Sequence, residues 1–127
     1  MLSSPLGRGM LTGAYSKAED FDETDFRRYA PRFQGENFAK NLELVKKLED
    51  IAAKKGITAS ELTLAWVIAQ GFIAIPGTRK IKYLDSNFSA AKLQLTPEEI
   101  QEIRAISEAA EVAGERYAEA HLKTTNL

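Results

Sequence analysis

The sequence predicts an α/β fold of the kind that closes a (β/α)8 barrel, with the last two strands, their helices and an extra C-terminal helix. Two short apolar segments, one at the start and one near residue 72, each run into a turn rich in glycine and proline. Helical patterns lie between and after them. The chain has 127 residues, and a whole barrel takes roughly 250. We therefore expect a single incomplete barrel domain, mostly helical as a stand-alone chain.

Composition indicates a soluble globular protein and excludes several kinds of partner. The formal net charge is −1 and 28% of residues are charged, so no overall field attracts nucleic acid or a membrane surface. There is no cysteine and His121 is the lone histidine, which excludes disulfides, thiolate nucleophiles and a multi-histidine metal site. No apolar run reaches membrane-spanning length and no signal peptide is evident. We expect a cytoplasmic protein.

The first segment is predicted to be a strand end followed by a turn and then a long irregular loop. Pro5 ends the strand ladder, and Gly7 and Gly9 permit tight turns and close approach to a ligand. The loop that follows mixes aromatic side chains with Asp and Arg, and Pro31 breaks any helix there. Two interpretations stay open: a loop packed on its own aromatics, or a substrate lid.

Two helices are predicted next. The first runs from Phe38 to Lys55 with one apolar face. The second runs from Ile57 to Gln70, with Thr58 as N-cap and Glu61 three residues later, which completes a capping box. Because this second helix is so apolar, we expect Trp66 to belong to the core rather than to contact a ligand.

The segment from Phe72 to Ile75 is apolar and β-branched, which predicts a buried strand that breaks at Pro76-Gly77 before a third helix, from Lys80 to Ala91. Backbone N–H groups at a helix start are unpaired, and Arg79 and its neighbouring lysines add positive charge. Such a turn can bind a phosphate group. The alternative is an ordinary strand–turn–helix with solvated lysines.

A fourth helix is predicted from Leu95 to about Val112, with Thr96, Pro97 and Glu99 forming its N-terminal capping box. The tail lacks sustained periodicity, so it is either a flexible end or a flap over a site. The predicted organisation is a strand end and turn (1–13), a substrate-side loop (14–37), two helices (38–70), a strand, phosphate turn and helix (72–91), a C-terminal helix (95–112) and a tail (113–127).

Two motifs now carry a family resemblance. The seventh-strand motif of aldo-keto reductases resembles Ser4-Pro5-Leu6-Gly7-Arg8-Gly9 with Leu11-Thr12-Gly13. Their NADP-phosphate motif after the eighth strand resembles Ile75-Pro76-Gly77-Thr78-Arg79, followed by Leu84 and Asn87. The order and separation of the motifs match as well. The resemblance implies an NADP(H)-dependent oxidoreductase that reduces small aldehydes or ketones to alcohols.

The family resemblance also implies cofactor contacts. In the family, the first motif wraps the nicotinamide and pyrophosphate side of NADP(H), and the second holds the adenosine 2′-phosphate and the adenine. Many relatives carry Arg where Tyr83 stands, and often Glu where Ser86 stands. The implied cofactor-binding residues are Ser4, Pro5, Leu6, Gly7, Arg8, Gly77, Thr78, Arg79, Lys80, Tyr83 and Asn87.

No catalytic residue is predicted in this chain. The family's catalytic Asp, Tyr, Lys and His lie on earlier strands, upstream of the segment that the chain resembles. The four tyrosines of the chain stand in the wrong segments to replace the family's catalytic Tyr; they are Tyr15, Tyr29, Tyr83 and Tyr117. His121 lies in the tail and does not correspond to the family's His.

Three hypotheses follow from the resemblance and its gaps. The chain is the C-terminal part of a reductase, or an inactive truncated product of such a gene. Alternatively it is a non-catalytic NADP-binding or regulatory module. The third hypothesis is a small helical protein without a ligand. A partial barrel exposes apolar helix faces, which predicts self-association.

Overall fold

Two short parallel strands form the sheet in residues 1–115, the part of the chain that this computed structural model describes. Strand β1 (Leu2–Ser3) pairs with strand β2 (Ala74–Ile75), and Leu2 lies opposite Ala74. Leu2 N also donates to the Ile73 carbonyl oxygen at 2.8 Å. Because the strands are parallel neighbours, their carboxyl ends, and the turns that follow them, lie at the same edge of the sheet.

Four α-helices account for most of the remaining regular structure. Two of them lie between the strands in sequence, and the other two follow β2. They are α1 (Gly35–Lys55), α2 (Ala59–Ala69), α3 (Ile81–Ala90) and α4 (Pro97–Ala109). The chain is thus mostly helical with a small open sheet, as predicted.

Both predicted capping boxes are confirmed. The Thr58 hydroxyl accepts from Glu61 N at 3.2 Å, and the Thr96 hydroxyl accepts from Glu99 N at 3.2 Å. In return, each glutamate carboxylate accepts from the backbone N–H of its threonine.

All four helix starts differ from the predicted bounds. Helices α1 and α3 begin at Gly35 and Ile81 rather than at Phe38 and Lys80. Helices α2 and α4 begin directly after their capping threonines, at Ala59 and Pro97 rather than at Ile57 and Leu95, and α4 ends at Ala109 rather than at about Val112.

The irregular segment before α1 packs on its own aromatic side chains. It forms short 3-10 turns around a buried cluster that also includes the start of α1, and the ring centroids of Phe21 and Phe33 lie 5.3 Å apart. The cluster contains Met10, Phe21, Ala30, Phe33, Phe38 and Val45. The self-packed interpretation is therefore confirmed, and a role as a substrate lid stays a prediction.

A second cluster joins the C-terminal half of α1 to α2 and α4. Trp66 packs against this cluster and donates from Nε1 to the Ile100 carbonyl oxygen at 3.3 Å, so its predicted place in the core is confirmed. The buried members are Leu48, Ile51, Ala52, Leu62 and Ile103.

The prediction of a buried second strand is wrong. Phe72, Ile73 and Ile75 are 54%, 66% and 49% exposed. The apolar stripe of α3 is exposed as well, with Ile81 and Phe88 as its most exposed members. The reason is that β2 has one strand neighbour in the described region, so no further strand there covers its outer edge. Self-association through this surface stays a prediction.

Residues 110–115 run back along α1 in a non-helical conformation. The Asn41 side chain exchanges two hydrogen bonds of 2.9 Å with the backbone of Ala113. Most of the predicted tail, including Tyr117 and His121, lies outside the described residues. Within residues 1–115, no helix is both long enough and apolar enough to cross a membrane.

Candidate functional site

The turn after β1 has an unusual backbone. Ser4 and Arg8 both have positive φ angles, of 54° and 58°, in the left-handed region that side chains other than glycine rarely adopt. Gly9 follows at φ 91°. Two backbone hydrogen bonds stabilise the turn. Gly7 N donates to the Ser4 carbonyl oxygen at 2.9 Å, and Gly9 N donates to the Leu6 carbonyl oxygen at 3.0 Å. Strained conformations of this kind cluster at functional sites, where the surrounding structure maintains them.

The turn after β2 leads directly into α3. The Thr78 hydroxyl accepts from Lys80 N at 3.1 Å, which fixes the chain just before the helix begins. The ammonium groups of Lys80 and Lys82 lie 5.8 and 4.8 Å from the ring centroid of Tyr83, within cation–π distance. The start of α3 is therefore electropositive through both its side chains and its helix dipole.

A cavity of about 540 Å³ lies between these two turns. This volume is within the range of small-molecule and cofactor pockets. Eight of the eleven predicted cofactor-binding residues line this cavity. Four follow β1 (Ser4, Pro5, Leu6 and Arg8), and four follow β2 (Gly77, Thr78, Tyr83 and Asn87). The structure thus brings together two motifs that lie far apart in the sequence.

Three predicted site residues are not part of this wall. Gly7, Arg79 and Lys80 are all exposed, and none of them lines the cavity. Arg79 directly follows Thr78, which does line the cavity, so its backbone lies beside a wall residue. Gly7 belongs to the same strained turn as Arg8.

Several wall residues are not among the predicted cofactor-binding residues, although Gly9, Thr12 and Pro76 belong to the two motifs. Thr58 and Ser60 come from the start of α2, where the capping box signals a helix terminus but not a cavity. Tyr15 and Arg27 come from the irregular segment, whose sequence carries no local sign of this contact. The full set of additional wall residues is Gly9, Thr12, Ala14, Tyr15, Arg27, Thr58, Ser60, Pro76 and Ser86.

Arg27 is a cation of the cavity wall that several neighbouring groups hold in place. Its guanidinium pairs with the Asp25 carboxylate at 2.6 Å and lies 4.5 Å from the ring centroid of Phe21. The Asp25 hydrogen bonds raise the pKa of Arg27, and the same bonds hold the pKa of Asp25 below its usual value. Both groups are therefore charged at neutral pH.

The arrangement suits an anionic ligand that also carries flat rings. Backbone N–H groups, the hydroxyls of Ser4 and Thr78, and the guanidinium of Arg8 supply donors, whereas Pro5, Leu6 and Tyr83 supply apolar surface. Residues 1–115 hold no group of three or more His, Cys, Asp or Glu side chains that could ligate a metal ion.

The fold and the two motif turns define the class of protein. A model of the aldo/keto reductase family matches residues 1–108. The chain therefore belongs to the aldo/keto reductase family, an oxidoreductase family, as the two motifs predicted.

Individual relatives support the same assignment. The chain is 55% identical over 116 residues to aldo-keto reductase yakc [NADP(+)] of Schizosaccharomyces pombe, covering 90% of this chain and 34% of that protein. It is 50% identical to aldo-keto reductase str7 of Strobilurus tenacellus, covering 91% of this chain and 35% of that protein. The chain thus spans about a third of the length of these curated relatives.

A solved structure shares the fold. The glycerol dehydrogenase of Gluconobacter oxydans superposes with a TM-score of 0.75 at 29% sequence identity. The match covers 89% of this chain and 35% of the chain of that dehydrogenase.

Proposed function

We propose that this chain is the NADP(H)-binding part of an aldo-keto reductase, the closing portion of its (β/α)8 barrel. One observation carries the proposal: the turns after β1 and β2, which hold the two family motifs, line a single cavity. The name of the fission yeast relative includes NADP(+), which supports the choice of cofactor. The reaction of the whole protein is then the reduction of a small aldehyde or ketone to an alcohol.

The residues of the wall fit NADP(H) by their chemistry. Ser4, Leu6 and Arg8, on the strained turn, would hold the nicotinamide and pyrophosphate side of the cofactor, largely through backbone groups. Gly77 and Thr78 would admit the 2′-phosphate closely and donate to it, and Arg79 would reach it from beside the cavity. Tyr83 and Asn87 stand where the adenosine would lie.

The bound cofactor would supply the hydride for carbonyl reduction, and this chain would bind and orient the cofactor. We assign no catalytic residue to it. The part of the substrate pocket that it contributes would be the irregular segment between Ala14 and Asn37, whose aromatic packing holds Tyr15 and Arg27 at the cavity.

Changing Arg79 tests this proposal directly. Arg79→Ala should weaken binding of NADPH but leave binding of NADH nearly unchanged, because only NADPH carries the 2′-phosphate. A hydrogen bond to a charged group contributes roughly 1.5–3 kcal/mol, which corresponds to about ten- to a hundred-fold in the dissociation constant. Isothermal titration of the chain with each cofactor measures both constants.

Arg104→Ala is the matched control, because it removes the same charge from α4, away from the cavity wall. It should leave both dissociation constants unchanged. Equal losses for NADPH and NADH in Arg79→Ala would contradict the assignment of Arg79 to the 2′-phosphate. A chain that binds neither cofactor would contradict the proposed function.

A further inference from the structure

The irregular segment and the strained turn after β1 are joined by one side chain. Nη1 of Arg27 donates to the Arg8 carbonyl oxygen at 2.9 Å, across 19 residues of sequence. Arg8 is the residue whose φ of 58° lies in the left-handed region, and the following residue, Gly9, has a φ of 91°. The hydrogen bond therefore holds the peptide at which the turn departs from ordinary backbone geometry.

The rest of the Arg27 guanidinium is held by other groups. Nε and Nη2 donate to both carboxylate oxygens of Asp25 at 2.6 to 3.1 Å, in the two-pronged geometry that arginine favours. The guanidinium carbon lies 5.0 Å from the ring centroid of Tyr15 and 4.5 Å from that of Phe21. The carboxylate and the rings fix the plane of the guanidinium. One N–H group of Nη1 is thereby directed at the Arg8 carbonyl oxygen.

The backbone of the turn at Gly9 lies close to the side chains of Arg27 and Tyr15. A Cβ atom added to Gly9 would lie 3.1 Å from Nη1 of Arg27 and 3.2 Å from the Tyr15 ring. The guanidinium and the ring are thus packed directly against the glycine backbone. Any shift of Arg27 would release both the Arg8 carbonyl and the space beside Gly9.

We infer that Arg27, oriented by Asp25, is a positioning residue that holds the Arg8–Gly9 turn in its cofactor-binding conformation. This inference rests on the proposed function, under which that turn binds the part of the cofactor common to NADPH and NADH. In this role Arg27 acts through the turn, because the bonds to Asp25 and Arg8 use three of its five N–H groups and fix its orientation. Cofactor affinity then depends on Asp25, a residue outside the cavity wall.

Substitution of Asp25 distinguishes two roles of Arg27, positioning of the turn and direct binding of the cofactor, because the two roles predict opposite changes in cofactor affinity. Asp25→Asn keeps an acceptor for Arg27 N but removes the charge that orients the guanidinium. If Arg27 positions the turn, Asp25→Asn weakens NADPH and NADH by the same factor. If Arg27 bonds a cofactor phosphate, the loss of the competing carboxylate strengthens binding instead, and the inference is overturned.

Substitution of Arg27 should have the larger effect. Arg27→Ala is expected to weaken both cofactors about ten-fold, the change that loss of a hydrogen bond to a charged donor produces. Arg27→Lys is expected to behave similarly, because an ammonium cannot bond both carboxylate oxygens and the Arg8 carbonyl in one plane. Full affinity in Arg27→Lys would show that charge alone matters and would overturn the inference.

The control is Arg28→Ala, at the neighbouring position. Arg28 also donates to a backbone carbonyl, that of Phe21 at 3.2 Å, and it does not line the cavity. This variant should bind NADPH and NADH like the unchanged chain. A loss equal to that of Arg27→Ala would show that the irregular segment matters only as a whole, and would overturn the specific role of Arg27.

Amide hydrogen exchange tests the inference without any cofactor. Residues 6–12 of the cofactor-free chain should exchange faster in Arg27→Ala and Asp25→Asn, whereas Arg28→Ala should leave them unchanged. Unchanged exchange in all three variants would overturn the positioning role. Failure of the chain to bind NADPH, with faster exchange in those two variants, would instead contradict the proposed function alone.

Discussion

At the scale of the residue, Asn41 shows how one buried polar side chain connects distant segments. It is 5% exposed and lies on α1. Its amide nitrogen donates to the carbonyl oxygens of Arg32 and Ala113 at 3.1 and 2.9 Å, and its oxygen accepts from Ala113 N at 2.9 Å. Because burial makes an unpaired polar group costly, the two bonds to Ala113 stabilise the contact of the C-terminal segment with α1, and the bond to Arg32 stabilises that of the irregular segment.

Asn41→Ala should lower the free energy of unfolding by about 2 kcal/mol, since it leaves three backbone groups without their partner. Urea unfolding followed by circular dichroism measures the loss. Asn37→Ala is the matched control, because Asn37 lies one turn earlier on the same helix and is less buried, with one hydrogen bond, to Pro31 at 3.2 Å. Equal losses in the two variants would contradict the role given to Asn41.

The same scale shows what sequence can and cannot predict about the site. Gly77 and Thr78 can be predicted because each belongs to a short motif whose chemistry is local. Arg27 cannot, because its importance depends on a contact with Arg8 across 19 residues. In the sequence it is one charged residue among many in an irregular segment.

At the scale of the element, capping explains which helices are predictable. The donor and acceptor of a capping box stand three residues apart, so the starts of α2 and α4 follow from the sequence alone. The start of α1 does not, because Gln34 makes no side-chain cap. Its first turn lies beside the irregular segment instead, where the Phe33 and Phe38 rings are 5.6 Å apart.

The capping box of α4 also carries a pH dependence. Lys55 donates to Glu99 at 2.6 Å, and this bond, followed by that from Thr96 N, holds the pKa of Glu99 below its usual 4.5. Because the folded pKa is lowered, the stabilisation is fully present above the usual value and is lost as pH falls through the lowered one.

Glu99→Gln should therefore destabilise the chain at pH 7, by about 1 kcal/mol or less because the pair is partly solvent-exposed. The difference from the unchanged chain should shrink as the pH falls through the lowered pKa of Glu99. Urea unfolding at a series of decreasing pH values measures this. Glu98→Gln, at the exposed neighbouring position, should show a smaller change with pH; a difference in Glu99→Gln that does not shrink as the pH falls would contradict the ion-pair explanation.

At the scale of the whole molecule, topology explains both the correct and the wrong predictions. Parallel pairing of β1 with β2 brings two family motifs to one edge of the sheet, and the resemblance predicted that convergence. The burial of Phe72 and Ile73 was predicted from their apolar, β-branched character, which is typical of a central strand. Burial depends on neighbours in space, however, and a local pattern cannot show whether those neighbours belong to the same chain.

The most direct measurement is a thermal melt of the chain, followed by circular dichroism, with and without NADPH. If the chain folds and its two motif turns form a cofactor site, the melt is cooperative and moves to higher temperature with NADPH. At a hundred-fold excess over the dissociation constant the added stability is about 2.7 kcal/mol, a shift of several degrees. A broad melt that NADPH leaves unchanged would contradict an NADP(H) site in this chain.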